Sequence, residues 1–274
     1  MNIADGDSDF RHEVAKVYES YLVPLIFAPY AVDLARRLAT RKVTRVLEIA
    51  AGTGVATRAL ASALPASASI VATDLNQAML DKGAARGTCR PVEWRQADAM
   101  ALPFADASFD AVVCQFGVMF FPDKAKAFAE VRRVLAPGGV FLFNVWDRIE
   151  ENEFPDEVAV ALATLFPDDP PRFMIRTPHG YFDILQIERD LVSAGFAEAP
   201  NVETVAVQSR AASARDVAIA FCLGTPLRAE LESRASDGFG EVIDAVTRAL
   251  VTRFGAGPVE GKIQAHVVTL VRSQ

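Results

Sequence analysis

The residues of this 274-residue chain that are best suited to chemistry are small or acidic and lie where short apolar runs end. The run Val46–Ile49 predicts a buried strand, and Ala50-Ala51-Gly52-Thr53-Gly54 follows it directly. Two glycines after a strand let a ligand approach the backbone, because glycine has no Cβ. The amides of this turn and of the helix after it can face a bound group. We therefore predict a nucleotide-type cofactor site, with a simple tight turn as the alternative.

Two aspartates follow later strands. Asp74 comes 22 residues after Gly52 (74 − 52), where a carboxylate can accept both hydroxyls of a ribose; alternatively it only begins a helix. At Asp98, after the next strand, a carboxylate could accept an adenine amino hydrogen while the Ala99 amide bonds a ring nitrogen; otherwise Asp98 is a turn residue. Because ligands bind beyond the carboxyl ends of parallel strands, these positions should meet at one edge of a sheet.

The hydrophobic periodicity predicts alternating strands and helices. Strands are expected at 45–50, 69–73, 92–96, 109–115, 140–145, 202–208 and 262–271, and helices at 30–38, 53–64, 77–85, 124–135, 153–165, 184–194 and in pieces over 213–254. Pro24 and Pro29 should break the helical segment 10–40, and residues 137–139 should end the fourth of these helices. Asn76, Asp123 and Asp183 should cap helices. The fold class is α/β, a doubly wound, mostly parallel sheet.

The same pattern predicts one domain over residues 1–274. N-terminal helices occupy 10–40 and the cofactor-binding core 41–150. Residues 151–210 and 258–274 supply the remainder of the sheet and its helices. A helical cap at 211–257, before the last strand, is expected to pack over the ligand edge.

Composition excludes several classes of protein. A net charge of −7 and a pI near 5.1 argue against a nucleic-acid partner. Cys89, Cys114 and Cys222 are too few and too far apart for a disulfide framework or a metal site. The polar N-terminus does not resemble a signal peptide, and no apolar run approaches the roughly 18 residues of a membrane span. We expect a cytoplasmic protein without a metal, and homo-oligomerisation stays open.

Two cofactor classes remain, a nicotinamide dinucleotide and an adenosyl compound. The dinucleotide fingerprint requires a third small residue where this chain has Thr57. Glu48, two residues before the turn, is unfavourable for a pyrophosphate but suits a cationic ammonium group. These residues favour the adenosyl compound.

Five motifs in this order resemble those of class I S-adenosylmethionine-dependent methyltransferases, especially the ubiquinone/menaquinone-biosynthesis type. They are Leu47–Gly54, Ala72–Leu80, Gln96–Phe104, Ser108–Val113 and Val134–Gly139. The resemblance covers about residues 40–146 and implies a Rossmann-like, seven-stranded sheet whose last strand lies antiparallel beside the fifth. It also implies S-adenosyl-L-methionine as the cofactor. One departure is Ala50, which replaces a glycine; an alanine is tolerated there if its φ stays negative.

The resemblance also implies which residues bind the cofactor. They are Tyr21, Glu48, Ala50, Ala51, Gly52, Gly54, Asp74, Leu75, Met79, Asp98, Ala99, Gln115 and Phe116. Gly52 and Gly54 would line the methionine part with Glu48 behind them, and Gln115 would stand beside it. Leu75 and Met79 would pack on the adenine. Tyr21 could instead pack between helix and sheet. Phe116 and Trp146 could line an acceptor pocket, lie against the cationic sulfur or belong to the core.

Methyl transfer needs alignment and exclusion of water, and a base only where the acceptor must lose a proton. His179 and His12 are the candidate bases, while His266 is expected to be structural. The apolar residues Phe221, Leu223, Leu227 and Phe239 of the cap favour a small, partly apolar acceptor whose reacting atom stays open. The alternatives are a nicotinamide-dependent oxidoreductase and a non-catalytic, regulatory S-adenosylmethionine-binding protein.

Overall fold

The structure, a computed structural model, describes residues 16–235 and 238–273. These residues form two compact units. The helical unit comprises the described part of Met1–Phe27 with Asp147–Gly180 and Ala206–Gln264. The core unit comprises Ala28–Trp146, Tyr181–Val205 and the described part of Ala265–Gln274. The single domain and its inner boundaries stay predictions.

The strands of the described residues form one seven-stranded sheet in the order β3-β2-β1-β4-β5-β7-β6. The strands are β1 (Arg45–Glu48), β2 (Ser69–Asp74), β3 (Glu93–Gln96), β4 (Phe109–Gln115), β5 (Leu135–Trp146), β6 (Asn201–Ala211) and β7 (Val259–Val271). Parallel pairing joins β3, β2, β1, β4 and β5, and β7 runs antiparallel to β5. This confirms the predicted mostly parallel sheet and the antiparallel strand beside the fifth.

The helices follow the predicted periodicity closely. They are α1 (Tyr18–Phe27, of π type), α2 (Ala28–Ala39), α3 (Val55–Ala63), α4 (Gln77–Arg86), α5 (Lys124–Val134), α6 (Glu153–Leu165), α7 (Phe173–Arg176), α8 (Ile184–Ser193), α9 (Ala214–Gly224), α10 (Leu227–Glu232) and α11 (Phe239–Phe254). Asn76, Asp123 and Asp183 each accept a hydrogen bond from an amide in the first turn, which confirms the three predicted N-caps.

The predicted helix breakers do not act as expected, although the helices end close to where they were predicted to end. Pro24 lies inside α1, because the helix widens to π geometry around the missing amide instead of ending. Pro29 lies in the first turn of α2, where no amide donor is needed. The helix α5 ends at Val134. Residues 137–139, which were predicted to end it, belong to β5, where the pairing with β4 shifts register.

Apolar packing on both faces of the sheet fixes the core unit. On one face, buried residues of α2 and α3 pack against the strands; they include Leu34, Leu38, Val46, Leu60, Ala111, Val113, Leu142 and Val267. Phe128 of α5 packs against β5 as well. Its ring centroid lies 5.7 Å from that of Phe141 and 5.6 Å from that of Phe143. The strand ends are thereby held in register, and this register positions the site.

The helical unit is built from α1, α6, α9 and α11 around its own apolar contacts. The Phe154 ring of α6 meets the Phe254 ring of α11 at 5.0 Å, and Val246 and Leu250 of α11 are buried. Across residues 16–235 and 238–273, the length and hydropathy of every helix fall short of what a bilayer crossing requires.

Candidate functional site

The carboxyl ends of β1, β2 and β3 are joined by backbone hydrogen bonds into one edge. The Ala51 amide donates to the Thr73 carbonyl at 2.9 Å, and the Ala97 amide donates to the Asp74 carbonyl at 3.0 Å. The predicted glycine turn, Asp74 and the Asp98 loop are therefore neighbours along this edge, as sequence reasoning required.

The turn after β1 is built from residues in the left-handed region. Ala50, Gly52 and Gly54 have φ values of +54°, +57° and +79°, so β1 ends at Glu48 and α3 begins at Val55 rather than Thr53. The condition under which alanine would be tolerated at position 50, a negative φ, is therefore not met. The chain must reverse within a few residues here, and a left-handed alanine costs about 1–2 kcal/mol that glycine would avoid.

The Asp74 carboxylate holds this turn in place. Its Oδ2 accepts from the Gly52 amide at 2.8 Å, and its Oδ1 accepts from the Asn76 amide at 2.8 Å. Burial raises the pKa of Asp74, and these amide hydrogen bonds oppose the rise. Each carboxylate oxygen has a further lone pair, so Asp74 can still accept hydroxyl groups.

Glu48 lies beneath the turn and is 1% exposed. Among the described residues its Oε2 has no hydrogen-bond partner, and the same holds for the buried hydroxyl of Thr53. Burial raises the pKa of Glu48 to about 8, and the charge of Asp74 adds to the rise, while Thr57 and Arg58 oppose it. A buried acceptor without a donor is destabilising. A ligand with a cationic ammonium would meet this need, so the residues present fit an S-adenosylmethionine type of cofactor.

Apolar and polar groups suited to a flat base follow β2 and β3. Leu75 is 67% exposed at the end of β2, and Met79 is half-buried on α4. Asp98 Oδ1 accepts from the Met100 amide at 2.8 Å in a short turn, and Ala99 lies between them, half-buried. The predicted adenine contacts of these residues stay predictions.

The end of β4 contains a second strained turn. Phe116 has a φ of +51°, which is uncommon for a bulky residue, and its amide donates to the Asn144 Oδ1 at 2.9 Å. Its ring is buried, stacked on Trp146 at 3.8 Å and in edge contact with Tyr30. The core-packing alternative therefore describes both Phe116 and Trp146, and a cofactor contact of Phe116 stays a prediction. Gln115, one residue earlier, is half-buried.

Three residues that sequence reasoning missed support these turns. A Cβ at Gly117 would lie 2.4 Å from the Ala50 Cβ, so the two strained turns touch. The Trp94 ring fills the space beside Gly54, where a Cβ would lie 2.5 Å from it. Asn144 is fully buried, and an amide within the otherwise apolar run of β5 was a signal that could have revealed it.

Tyr21, His179 and His266 are not part of the strand-end turns. Tyr21 belongs to α1 of the helical unit, and His12 falls outside the described residues. His179, also in the helical unit, is buried with its Nδ1 2.8 Å from the Asp147 carbonyl oxygen. Because a carbonyl only accepts, Nδ1 carries the proton; burial lowers the pKa of His179 to about 4. His266 of the core unit lies 3.0 Å from the Thr204 hydroxyl.

Comparisons with known proteins agree with this geometry. Residues 47–143 match the methyltransferase domain family. The ubiquinone/menaquinone biosynthesis C-methyltransferase UbiE of Idiomarina loihiensis is 35% identical over 133 residues, which are 47% of this chain and 52% of that protein. The demethylmenaquinone methyltransferase of Thermus thermophilus is 39% identical over 131 residues, 47% of this chain and 58% of that protein. The chain therefore spans about half the length of these curated relatives.

A solved structure shows the same fold. Phosphoethanolamine N-methyltransferase 2 of Haemonchus contortus, in complex with phosphomonomethylethanolamine and S-adenosylhomocysteine, aligns with a TM-score of 0.60 at 18% identity. The alignment covers 95% of this chain and 57% of that one. At this identity the likeness concerns the fold alone.

We predict that Ala50 and Gly117 are energetically coupled. Gly117→Ala should lower the free energy of unfolding by about 1–3 kcal/mol, because the new methyl meets the Ala50 Cβ and the Cys114 Sγ. Ala50→Gly removes one of these contacts, so the double variant should lose less than the sum of the single changes. Urea unfolding of the four proteins measures the coupling. Gly240→Ala, where a Cβ has open space, is the matched control; strict additivity would refute the contact.

Proposed function

We propose that this chain, whose residues 47–143 match the methyltransferase domain family, is a class I S-adenosylmethionine-dependent methyltransferase that methylates a small, partly apolar metabolite. The observation that carries the proposal is the buried carboxyl of Glu48. Its Oε2 has no hydrogen-bond partner among the described residues, and it lies beneath the glycine-containing turn after β1. Bound S-adenosylmethionine supplies a methyl group that its sulfonium has already activated. The protein contributes binding, alignment and exclusion of water.

The cofactor-holding residues that we propose are those at the carboxyl edge of the core unit. Glu48 would face the ammonium group, and Asp74 would accept the ribose hydroxyls with its remaining lone pairs. Leu75 and Met79 offer apolar surface for the adenine, with Asp98 and Ala99 at its edge. The remaining proposed contacts are Tyr21, Ala50, Ala51, Gly52, Gly54, Gln115 and Phe116.

The proposal also specifies the chemical type of the methyl acceptor. Of the four apolar cap residues that suggested it, Phe221 and Leu227 are buried in the helical unit, so they stabilise that unit rather than line a surface. The names of the curated relatives support it better, because both act in quinone biosynthesis or on demethylmenaquinone. We therefore propose a quinone-like ring carbon as the first acceptor to test.

We also propose a cytoplasmic location, a small-molecule acceptor and no nucleic-acid partner. The three cysteines are free thiols, and Cys89 is exposed, which suits a reducing compartment. The net charge of −7 is unfavourable for binding a phosphate backbone.

The function is tested by titration calorimetry and a transfer assay. The protein should bind S-adenosylmethionine and S-adenosylhomocysteine but not NAD. It should also methylate at least one member of a panel of reduced quinones, phenols and amines, as detected by mass spectrometry. Asp74→Ala should weaken S-adenosylhomocysteine binding by about 1–3 kcal/mol, because hydrogen bonds to a charged group are lost. Asp81→Ala, an exposed acid on α4, is the control.

Two outcomes would favour the alternatives. Binding of NAD without S-adenosylhomocysteine would replace the proposal with an oxidoreductase. Tight S-adenosylhomocysteine binding without turnover of any acceptor would favour a regulatory binding protein.

The pH dependence of binding should report the Glu48 carboxyl. Below its raised pKa of about 8 the free protein keeps the proton, and a bound ammonium favours the carboxylate, so binding releases that proton. Affinity for S-adenosylhomocysteine should therefore rise up to about tenfold per pH unit from about pH 6 and level off above about pH 8. Calorimetry across this range should show the slope in the wild type and in the exposed control Glu93→Gln. A slope that survives in Glu48→Gln would contradict the assignment.

We propose His179 as the base for an acceptor that must lose a proton, with His12 as the other candidate. His179→Asn keeps an amide donor for the Asp147 carbonyl but removes the basic nitrogen. This variant should lower kcat by about 10²- to 10⁴-fold at an unchanged KM for S-adenosylmethionine. Steady-state kinetics and thermal unfolding check this; a lower melting temperature with unchanged kcat would make His179 structural.

A further inference from the structure

The loop after β3 is fixed by two charged residues of α5. The Leu102 amide donates to Glu130 Oε2 at 2.8 Å, and the Leu102 carbonyl accepts from Arg133 Nη2 at 2.9 Å. Both backbone groups of Leu102 are therefore held, and its side chain is buried as well. Such double fixing leaves this residue little freedom of rotation.

Arg133 also holds the rest of the loop. Its Nη1 donates to the Phe104 carbonyl at 2.7 Å and to Asp106 Oδ1 at 2.8 Å, and its own carbonyl accepts from the Ala107 amide at 2.9 Å. All of these contacts lie within the core unit. One guanidinium thus spans the loop between β3 and β4.

The two charged residues form a bidentate pair. Arg133 Nε and Nη2 each lie 2.8 Å from a different oxygen of Glu130. This hydrogen-bonded pairing lowers the pKa of Glu130. The planar fork of arginine fits a carboxylate in this way, and a lysine would not reproduce it. The pair therefore has one preferred geometry, which it imposes on Leu102.

Leu102 directly follows the turn that contains Asp98 and Ala99. The Ala101 amide donates to the Asp98 carbonyl at 3.0 Å, and the Met100 amide occupies Asp98 Oδ1. The turn is thus closed by its own hydrogen bonds, and Leu102 is the point at which Glu130 and Arg133 of α5 hold its end.

We propose that Glu130 and Arg133 are positioning residues that set the selectivity of the site for adenine over bases without the 6-amino group. This inference rests on the proposed function, in which Asp98 and Ala99 face the adenine edge. A loosened loop would still offer apolar surface to a base, but its donor and acceptor would no longer point in fixed directions.

The test compares two ligands on matched variants. Titration calorimetry measures Kd for S-adenosylhomocysteine and for S-inosylhomocysteine, whose base has a carbonyl in place of the 6-amino group. Wild type should prefer the adenine ligand by about tenfold or more, and Arg133→Ala should reduce this preference severalfold, since the discrimination comes from hydrogen bonds at one edge. Arg132→Ala, which removes the neighbouring charge on the same helix, should keep it.

The ratio of the two Kd values separates positioning from general stability. A variant that is merely less stable weakens both ligands alike and leaves the ratio unchanged, and that result for Arg133→Ala would overturn the inference. If Arg133→Ala does not fold, Arg133→Lys and Glu130→Gln test the same contacts with smaller changes, and an unchanged ratio in both would also overturn it. Failure of the wild type to bind S-adenosylhomocysteine would instead refute the proposed function.

Discussion

The hydrogen bond from the Gly52 amide to the Asp74 carboxylate constrains the rest of the site. A turn that exposes its backbone to a ligand cannot be covered by side chains on that face. It must therefore be held by residues of the neighbouring strands. Asp74 does this from the neighbouring strand at 2.8 Å. On the other side, the absent side chain of Gly117 admits the Ala50 methyl. Both contacts act through the sheet register, because the parallel pairing of β2, β1 and β4 places their ends side by side.

The fold accepts unfavourable local chemistry at this edge. Ala50 and Phe116 are held in the left-handed region, and Glu48 is buried with an unmet acceptor. Each of these features is destabilising in isolation, and such features persist only where the surrounding structure fixes them. Of the three left-handed non-glycine residues in the described part of the chain, Ala50 and Phe116 lie at the ends of β1 and β4, and Ala107 precedes β4. Two strained residues beside a buried carboxyl are typical of a binding site.

Sequence reasoning predicts the regular elements well because their causes are local. The period of apolar residues locates β4 and α6 to the residue, and side-chain caps such as Asn76 follow from residue type. The left-handed conformation of Ala50 has no local cause of this kind. Its methyl group fits only because residue 117, 67 positions later (117 − 50), is a glycine. The hydrogen bonds from Arg133 to the loop after β3 likewise form only once α5 has packed against that loop. Of the candidate site, the positions at the strand ends were therefore predictable, while the supporting residues Gly117 and Trp94 were not. Asn144 lies between the two, because its amide in the apolar run of β5 was a visible signal.

The protonation state of the buried imidazole bears on the kind of acceptor. With Nδ1 donating to the Asp147 carbonyl and burial lowering its pKa to about 4, His179 is neutral throughout the neutral pH range. An amine with a free lone pair can attack a methyl group without help from a base. A ring carbon differs, because the new carbon–carbon bond leaves a proton that must depart before the ring regains its conjugation. Under the proposal that His179 is the base, the imidazole would therefore serve a carbon acceptor or a hydroxyl, since a neutral amine needs no base.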